Sequence, residues 1–187
     1  MSIIDDFLAD TREHMNKSVD ATRGKFGSVR TGRASPALLD RIVVDYYGAP
    51  TPLKQLATIH AAEARLLTVQ PYDKSSIKAI ERASMESDVG LTPSNDGQVI
   101  RLTIPELTEE RRRDLVKVVR GLAEEGKVAL RNIRRDTMHD LRELRDAGEA
   151  GSDDEHRAED ALQKLTDEKV NELDALLKGK EEEILEV

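Results

Sequence analysis

From Glu106 to Asp146 the sequence holds one helical period with no proline to interrupt it. Leu115, Val118, Val119, Leu122, Ala129, Leu130, Ile133, Leu141 and Leu144 recur at helical spacing and define a single apolar face. A helix of this length runs about 60 Å at 1.5 Å per residue, against an ordinary globular mean of about 11–12 residues. With one apolar stripe it cannot stand alone in water and must bury that stripe on other elements. Two further segments have matching stripes. Residues 3–29 carry Ile4, Phe7, Leu8, Thr11, Met15, Val19, Thr22, Phe26 and Val29, opened by Ser2 and Asp5 in capping-box spacing. Residues 153–185 carry Leu162, Leu165, Leu173, Leu176, Leu177 and Ile184, opened by the capping box Ser152-Asp153-Asp154-Glu155. The economical arrangement is an antiparallel three-helix bundle of 3–29, 106–146 and 153–185. Thr108 is the expected N-cap of the middle helix. Gly121 and Gly126 inside it each cost about 1 kcal/mol against alanine and are expected to let it bend.

Between the first two helices the period changes to two. Ile42, Val44 and Tyr46 alternate with Val43, Asp45 and Tyr47, and Gly48-Ala49-Pro50-Thr51-Pro52 is expected to break that strand. Thr58–His60, Arg65–Gln70 and Val99–Ile104 are further strands, Asp73 caps a short helix ending near Ser87, and Asn95-Asp96-Gly97 is a turn. One ring of Tyr46-Tyr47 is expected to face inward and the other outward. The fold class is therefore α+β: residues 1–30 and 105–187 form the bundle, and an α/β domain of residues 31–104 is inserted between helices 1 and 2. Two connecting strands give that insertion the form of a hinge between rigid bodies.

The aromatic content of 3%, with no Trp, suits a thin aliphatic seam between helices rather than a thick sandwich core. The net charge of −8 first argues against a nucleic-acid partner, but it is unevenly spread. Residues 1–105 carry 13 acidic and 13 basic side chains, residues 106–150 carry 11 of each, and residues 151–187 carry 13 acidic against 5 basic. Within the neutral part, residues 111–135 hold nine basic and three acidic side chains. Arg113, Lys117, Arg120, Lys127, Arg131 and Arg134 follow one another at three-, four- or seven-residue steps, with Arg135 on the same side and Glu124 the one acidic member of the row. That row is expected to face away from the bundle core. A charged outer face is what any soluble helix needs, so solvation and phosphate binding both remain open. The sign of the row favours phosphate: solvated faces usually alternate charge at i,i+4, and guanidinium groups offer phosphate oxygens paired donors. No aromatic side chain lies in the segment, which points to backbone and shape recognition of a folded RNA rather than to base stacking.

Other chemistry finds little support. Without Cys there is no disulfide, thiol or Cys-ligated metal chemistry. His14, His60, His139 and His156 lie on different expected elements without metal-ligand spacing, and no P-loop or GxGxxG follows a strand. No enzyme, metal or cofactor is expected, nor a signal peptide or membrane span, and the default compartment is the cytoplasm.

Four motifs in order, Val29-Arg30-Thr31-Gly32-Arg33-Ala34-Ser35-Pro36, Val44-Asp45-Tyr46-Tyr47-Gly48, Leu107-Thr108-Glu109-Glu110-Arg111-Arg112 and Arg131-Asn132-Ile133-Arg134-Arg135-Asp136, resemble the ribosome recycling factor family over essentially the whole chain. The resemblance implies an L-shaped molecule with the outline of a transfer RNA. It implies binding of the post-termination ribosome on large-subunit rRNA at the intersubunit face. Splitting into subunits would then follow with elongation factor G, which supplies the GTP, releasing messenger RNA and deacylated transfer RNA. It further implies rRNA contacts at Arg30, Arg131 and Arg134, joined on spacing by Arg135, Lys127, Arg120, Lys117 and Arg113. The joint would be Thr31, Gly32, Arg33, Ala34, Ser35 and Pro36 with Pro105. Gly126 departs from the family's usual helix former and puts local stiffness in question. A monomer is expected, without a DNA or membrane partner. The competing reading is a helical co-chaperone or nucleotide-exchange adaptor that would use the acidic last helix or the α/β unit as its contact surface.

Overall fold

The computed structural model describes residues 2–29 and 31–186. The chain divides into two compact units, Met1–Phe26 with Lys117–Glu183, and Gly27–Val116 with Ile184–Val187.

The first unit is helical. Helix α1 (Ile3–Gly27) opens on the expected capping box: the Asp5 amide donates to Ser2 Oγ at 3.2 Å and the Ser2 amide to Asp5 Oδ2 at 3.0 Å. The backbone bond from Ser2, then its side chain, hold the Asp5 carboxyl below its ordinary pKa. Helix α4 (Glu109–Asp146) is capped by Thr108, whose Oγ1 accepts the Arg111 amide at 3.1 Å. Helix α5 (Ser152–Leu185) starts differently from expectation, because Ser152 already lies in the helix and the Glu155 amide donates to the Gly151 carbonyl at 3.0 Å. The Glu155 carboxylate, buried at 7% exposure, takes Arg145 Nη1 at 3.0 and 2.8 Å instead of reaching back to a cap. A charge-assisted bond outcompetes a bond to a neutral amide.

Helices α1 and α4 run antiparallel, with the Thr11 and Thr137 hydroxyls 3.0 Å apart. Helices α4 and α5 are also antiparallel, since Arg145 meets Glu155, Lys127 meets Asp174 and Arg120 meets Glu181. Between them Met15, Val19, Leu130, Leu141, Ala158, Leu162, Leu165 and Leu173 form an aliphatic seam. The buried line of α4 follows Val116, Val119, Ala123, Gly126, Leu130, Thr137 and Leu141. Val118, expected on the stripe, is 48% exposed because it sits about 100° round the helix from Val119.

Gly126 also departs from expectation. Helix α4 runs unbroken through it, and a Cβ there would lie 2.6 Å from Thr22 Oγ1 and 3.0 Å from Leu173 Cδ1. The missing side chain lets α1 and α5 close on α4 at one point, and that approach is what the residue provides.

In the second unit a 3₁₀ turn at Pro36–Leu39, capped by Ser35, leads into strand β1 (Val43–Tyr46). Strand β1 pairs antiparallel with β2 (Ala49–Pro52) through the two-residue turn Tyr47-Gly48, both with positive φ (50° and 81°). The segment expected to end the strand is thus a hairpin turn and its return strand. Pro50 and Pro52 are tolerated because β2 is an edge, where a missing N–H leaves no ladder partner unsatisfied. After the short helix α2 (Leu53–Leu56), strands β3 (Ala57–Glu63), β4 (Leu66–Pro71), β5 (Thr92–Asn95) and β6 (Ile100–Thr103) form an antiparallel sheet in the order β3-β4-β6-β5. Helix α3 (Ile77–Glu86) packs on β1 and β5 over a core that includes Leu39, Val44, Leu53, Leu67, Ile80, Ile100 and Leu102.

The Asn95-Asp96-Gly97 turn joins β5 to β6, and amides of Val99 and Gln98 with Arg101 hold the Asp96 carboxyl at a pKa of about 2. The chain's three tyrosines gather around residues 72–75. Tyr46 donates to Asp73 Oδ2 at 3.1 Å, the Tyr47 hydroxyl lies 3.1 Å from Ser75 Oγ, and Thr58 donates to the Tyr72 hydroxyl at 3.3 Å. Tyr46 is half-buried and Tyr47 is 81% exposed, but the rings do not take opposite faces: Tyr47 sits in the turn, and the two rings meet edge to face with centroids 4.7 Å apart.

Candidate nucleic-acid interface

Helix α4 carries the basic row, and its members meet different fates. Arg113 is exposed and bonded to Glu109 one turn back at 2.5 Å. Arg120 donates to Glu181 of α5 at 2.6 Å, which raises its pKa. Lys127 is only 15% exposed and lies between Asp174 at 2.6 Å and Glu124 at 3.3 Å. The hydrogen bond to Asp174 raises the Lys127 pKa against the opposing effect of burial. These three do not present bare charge, and Lys127 does not face outward as the row was expected to do.

The physical reason is angular. At about 100° per residue, Lys127 and Arg134 fall roughly 60° and 40° from the centre of the buried line, close enough to lean toward α5. Their stems cover apolar surface while their heads seek acceptors. The acidic excess of residues 151–187 supplies those acceptors, so part of it is consumed inside the protein rather than shown to solvent.

The other members differ. Lys117 and Arg131 are exposed with no acidic partner among the described residues. Arg135 is exposed and only loosely near Asp136, at 3.7 Å. Arg134 is half-buried and donates from Nη1 to the neutral amide oxygen of Gln163 at 2.5 Å. Gln163 in turn donates from Nε2 to Asp167 Oδ1 at 2.9 Å. Arg134 and Gln163 line a groove of about 780 Å³ between α4 and α5 together with Arg135, Arg142, Glu159 and Asp160. Arg30 lies outside the described residues. Gln163, Asp174 and Glu181 carried no signal in the row itself. Only the pairing of α4 with α5 brings them there.

The residues expected to form the joint all belong to the second unit. Thr31 is buried, and Gly32 has φ 80° with the Leu107 side chain 3.6 Å from where a Cβ would stand. Arg33 pairs with Glu186, the Ala34 amide donates to the Ala64 carbonyl at 2.7 Å, and Ser35 accepts the Ala37 amide at the turn begun by Pro36. Pro105 follows Ile104, whose amide donates to the Arg65 carbonyl at 2.8 Å, and Arg65 pairs with Glu106 at 2.9 Å. Arg112 Nε, nearby, is buried with no hydrogen-bond partner among the described residues.

Among the described residues no helix is long and apolar enough to cross a membrane, and no group of three His, Asp or Glu side chains stands ready for a metal.

The family profile described as "Ribosome recycling factor" matches residues 22–185. The chain belongs to the ribosome recycling factor family. It is 55% identical over 180 residues to a ribosome-recycling factor of Rubrobacter xylanophilus, covering 96% of this chain and 97% of the relative. It is 57% identical to one of Halalkalibacterium halodurans with the same coverage. Among solved structures it is similar to a ribosome recycling factor in solution, with a TM-score of 0.78 and 38% identity over the whole of both chains. It is also similar to a chain from models of the T. thermophilus ribosome recycling factor and the E. coli elongation factor G bound to the E. coli post-termination complex. There the TM-score is 0.69 and the identity 48%, over 99% of this chain and all of the other. Within this family member, the arginines of the Arg131–Asp136 motif, like Arg113 and Lys117, have no carboxylate partner on α5 among the described residues.

Proposed function

We propose that this chain recycles ribosomes after termination. It binds the large subunit through the outer face of α4, with Arg131, Arg134 and Arg135 on rRNA phosphates and Lys117 extending the contact; Arg30 is a further rRNA contact that the family resemblance implies. With elongation factor G and GTP it drives the subunits apart, so that messenger RNA and deacylated transfer RNA are released. The chain is the mechanical component: its arginines hold one body on RNA, and Thr31–Pro36 with Pro105 serve as the joint that lets the other be pushed. The GTP is consumed by the partner.

The observation that carries this reading is the group of cations on α4, Lys117, Arg131, Arg134 and Arg135, that no carboxylate of α5 pairs among the described residues. An RNA backbone is a row of phosphates, and such cations gain most by replacing its counterions. Family membership and the similarity to a recycling factor bound with elongation factor G on a post-termination complex support the same reading. The adaptor reading loses ground because Glu155, Asp174 and Glu181, acids it would present to a partner, are engaged by α4.

Splitting of post-termination ribosomes, followed by light scattering with elongation factor G and GTP, tests the proposal. Splitting is expected to need this chain. Equal splitting with the chain left out would refute it.

A further inference from the structure

Where α5 meets α4 it generally offers a carboxylate to the cation opposite. Glu155 takes Arg145, Asp174 takes Lys127 and Glu181 takes Arg120. At Arg134 the pattern changes, and the residue opposite is Gln163. Resting on the RNA-binding reading above, we propose that Gln163, oriented by Asp167, is a positioning residue. It holds the Arg134 guanidinium in place for phosphate without neutralising it.

The geometry assigns each atom a task. A side-chain amide presents an acceptor and a donor of nearly equal shape, so on its own it can turn either end toward a neighbour. Asp167, one helical turn on, is acceptor-only when ionised and takes Gln163 Nε2 at 2.9 Å. That leaves Oε1 facing Arg134, which it meets at 2.5 Å. A reversed amide would set N–H against N–H. Arg134 thereby spends one of its five N–H donors on a neutral oxygen and keeps its full charge and its remaining donors.

A pre-oriented, uncompensated guanidinium suits a phosphate, because the planar fork loses little freedom on binding. An aspartate or glutamate at 163 would fix the same side chain and cancel its charge. With no polar side chain there, Arg134 would keep its charge but lose its fixed place in the groove it shares with Glu159 and Asp160. Glutamine is the residue that orients without discharging.

The test is binding of the full chain to purified large ribosomal subunits over a salt series, with wild type, Arg134→Ala, Gln163→Glu, Gln163→Met, Asp167→Asn and the double variant Arg134→Ala/Gln163→Glu. Gln163 is exposed, so its variants are expected to fold, and circular dichroism melts check that they do. Arg134→Ala is expected to weaken binding roughly tenfold and to reduce the log–log salt slope by about 0.7–0.9, the loss of one phosphate contact. Gln163→Glu is expected to reproduce both changes and to add nothing in the double variant, since the charge it cancels is already gone. Gln163→Met and Asp167→Asn, which loosen Arg134 without discharging it, are expected to weaken binding less and to leave the salt slope near wild type. Arg134→Ala lowering the slope while Gln163→Glu matches wild type would overturn the positioning role alone. Wild-type binding that is absent or insensitive to salt would overturn the RNA reading and this inference with it. Additive losses in the double variant would also overturn it, because Gln163 would then act through something other than Arg134.

Discussion

Two stretches of α4 face the same acidic helix and fare oppositely. Around residues 120–127, Arg120 and Lys127 are paired with Glu181 and Asp174. Around residues 131–135, Arg131 stands free of acids among the described residues, Arg135 is loosely held, and Arg134 meets an amide. The first stretch uses its charge to fasten α5 to α4. The second keeps its charge available. A count of cations along a helix therefore overstates what a ligand would feel, because a neighbouring helix can absorb part of the field before any partner arrives.

The largest expected effect tests the second stretch. Arg134→Ala should lower the splitting rate with elongation factor G and GTP by roughly ten- to a hundredfold, the range for losing a charge-assisted hydrogen bond. Its circular dichroism should be unchanged. Splitting at the wild-type rate would remove the functional side of the comparison.

Gly126→Ala probes the contact that brings α5 close to the first stretch. The added methyl meets Thr22 Oγ1 and Leu173 Cδ1 inside normal contact distance. Overpacking should destabilise the bundle by about 1–3 kcal/mol in urea melts, despite the roughly 1 kcal/mol that alanine gains in helix propensity. A stabilised protein would mean that the close approach is not fixed by the glycine.

Lys127→Ala should show in stability rather than in RNA binding. It leaves Asp174 without its nearest cation and should cost about 1–2 kcal/mol in the same melts. The pH dependence has a definite sign. The Lys127 pKa is raised in the folded state, so the pair contributes fully below the ordinary lysine value and loses that contribution as pH rises through the folded-state value. A wild-type-minus-Lys127→Ala stability difference that grew with pH on the alkaline side would contradict the pairing. The smallest change belongs to Arg120→Ala. Its side chain is 63% exposed, so solvent screens the pair with Glu181 and the melt should hardly move, and large-subunit binding should stay within about twofold of wild type.

Much of the architecture was legible from period and caps alone. The stripes of the three long helices, the Ser2–Asp5 and Thr108 caps and the Asn95-Asp96-Gly97 turn are local signals, and each element stands where its signal lies. The misread places are those where a distant partner decides. Glu155 looks like a cap residue until Arg145 arrives from another helix. Gly126 looks like a weak point until Thr22 and Leu173 close around it. The Gly48–Pro52 segment reads as a break because proline removes ladder donors, and only its edge position makes it a strand. The same limit applies to the interface. Spacing found the row on α4, but which cations keep their charge depends on side chains roughly 30–60 positions later, which no periodicity within α4 encodes.

The gathering of Tyr46, Tyr47 and Tyr72 in the sheet-bearing unit, in a chain with no Trp, makes near-ultraviolet light selective. Absorbance and emission from tyrosine originate in that unit alone, while the helical bundle is nearly dark at those wavelengths. A partner that touches the sheet unit at this corner would change the signal, and one that sits only on the bundle would leave it still. The unmodified protein thus carries its own optical reporter of which half has been engaged.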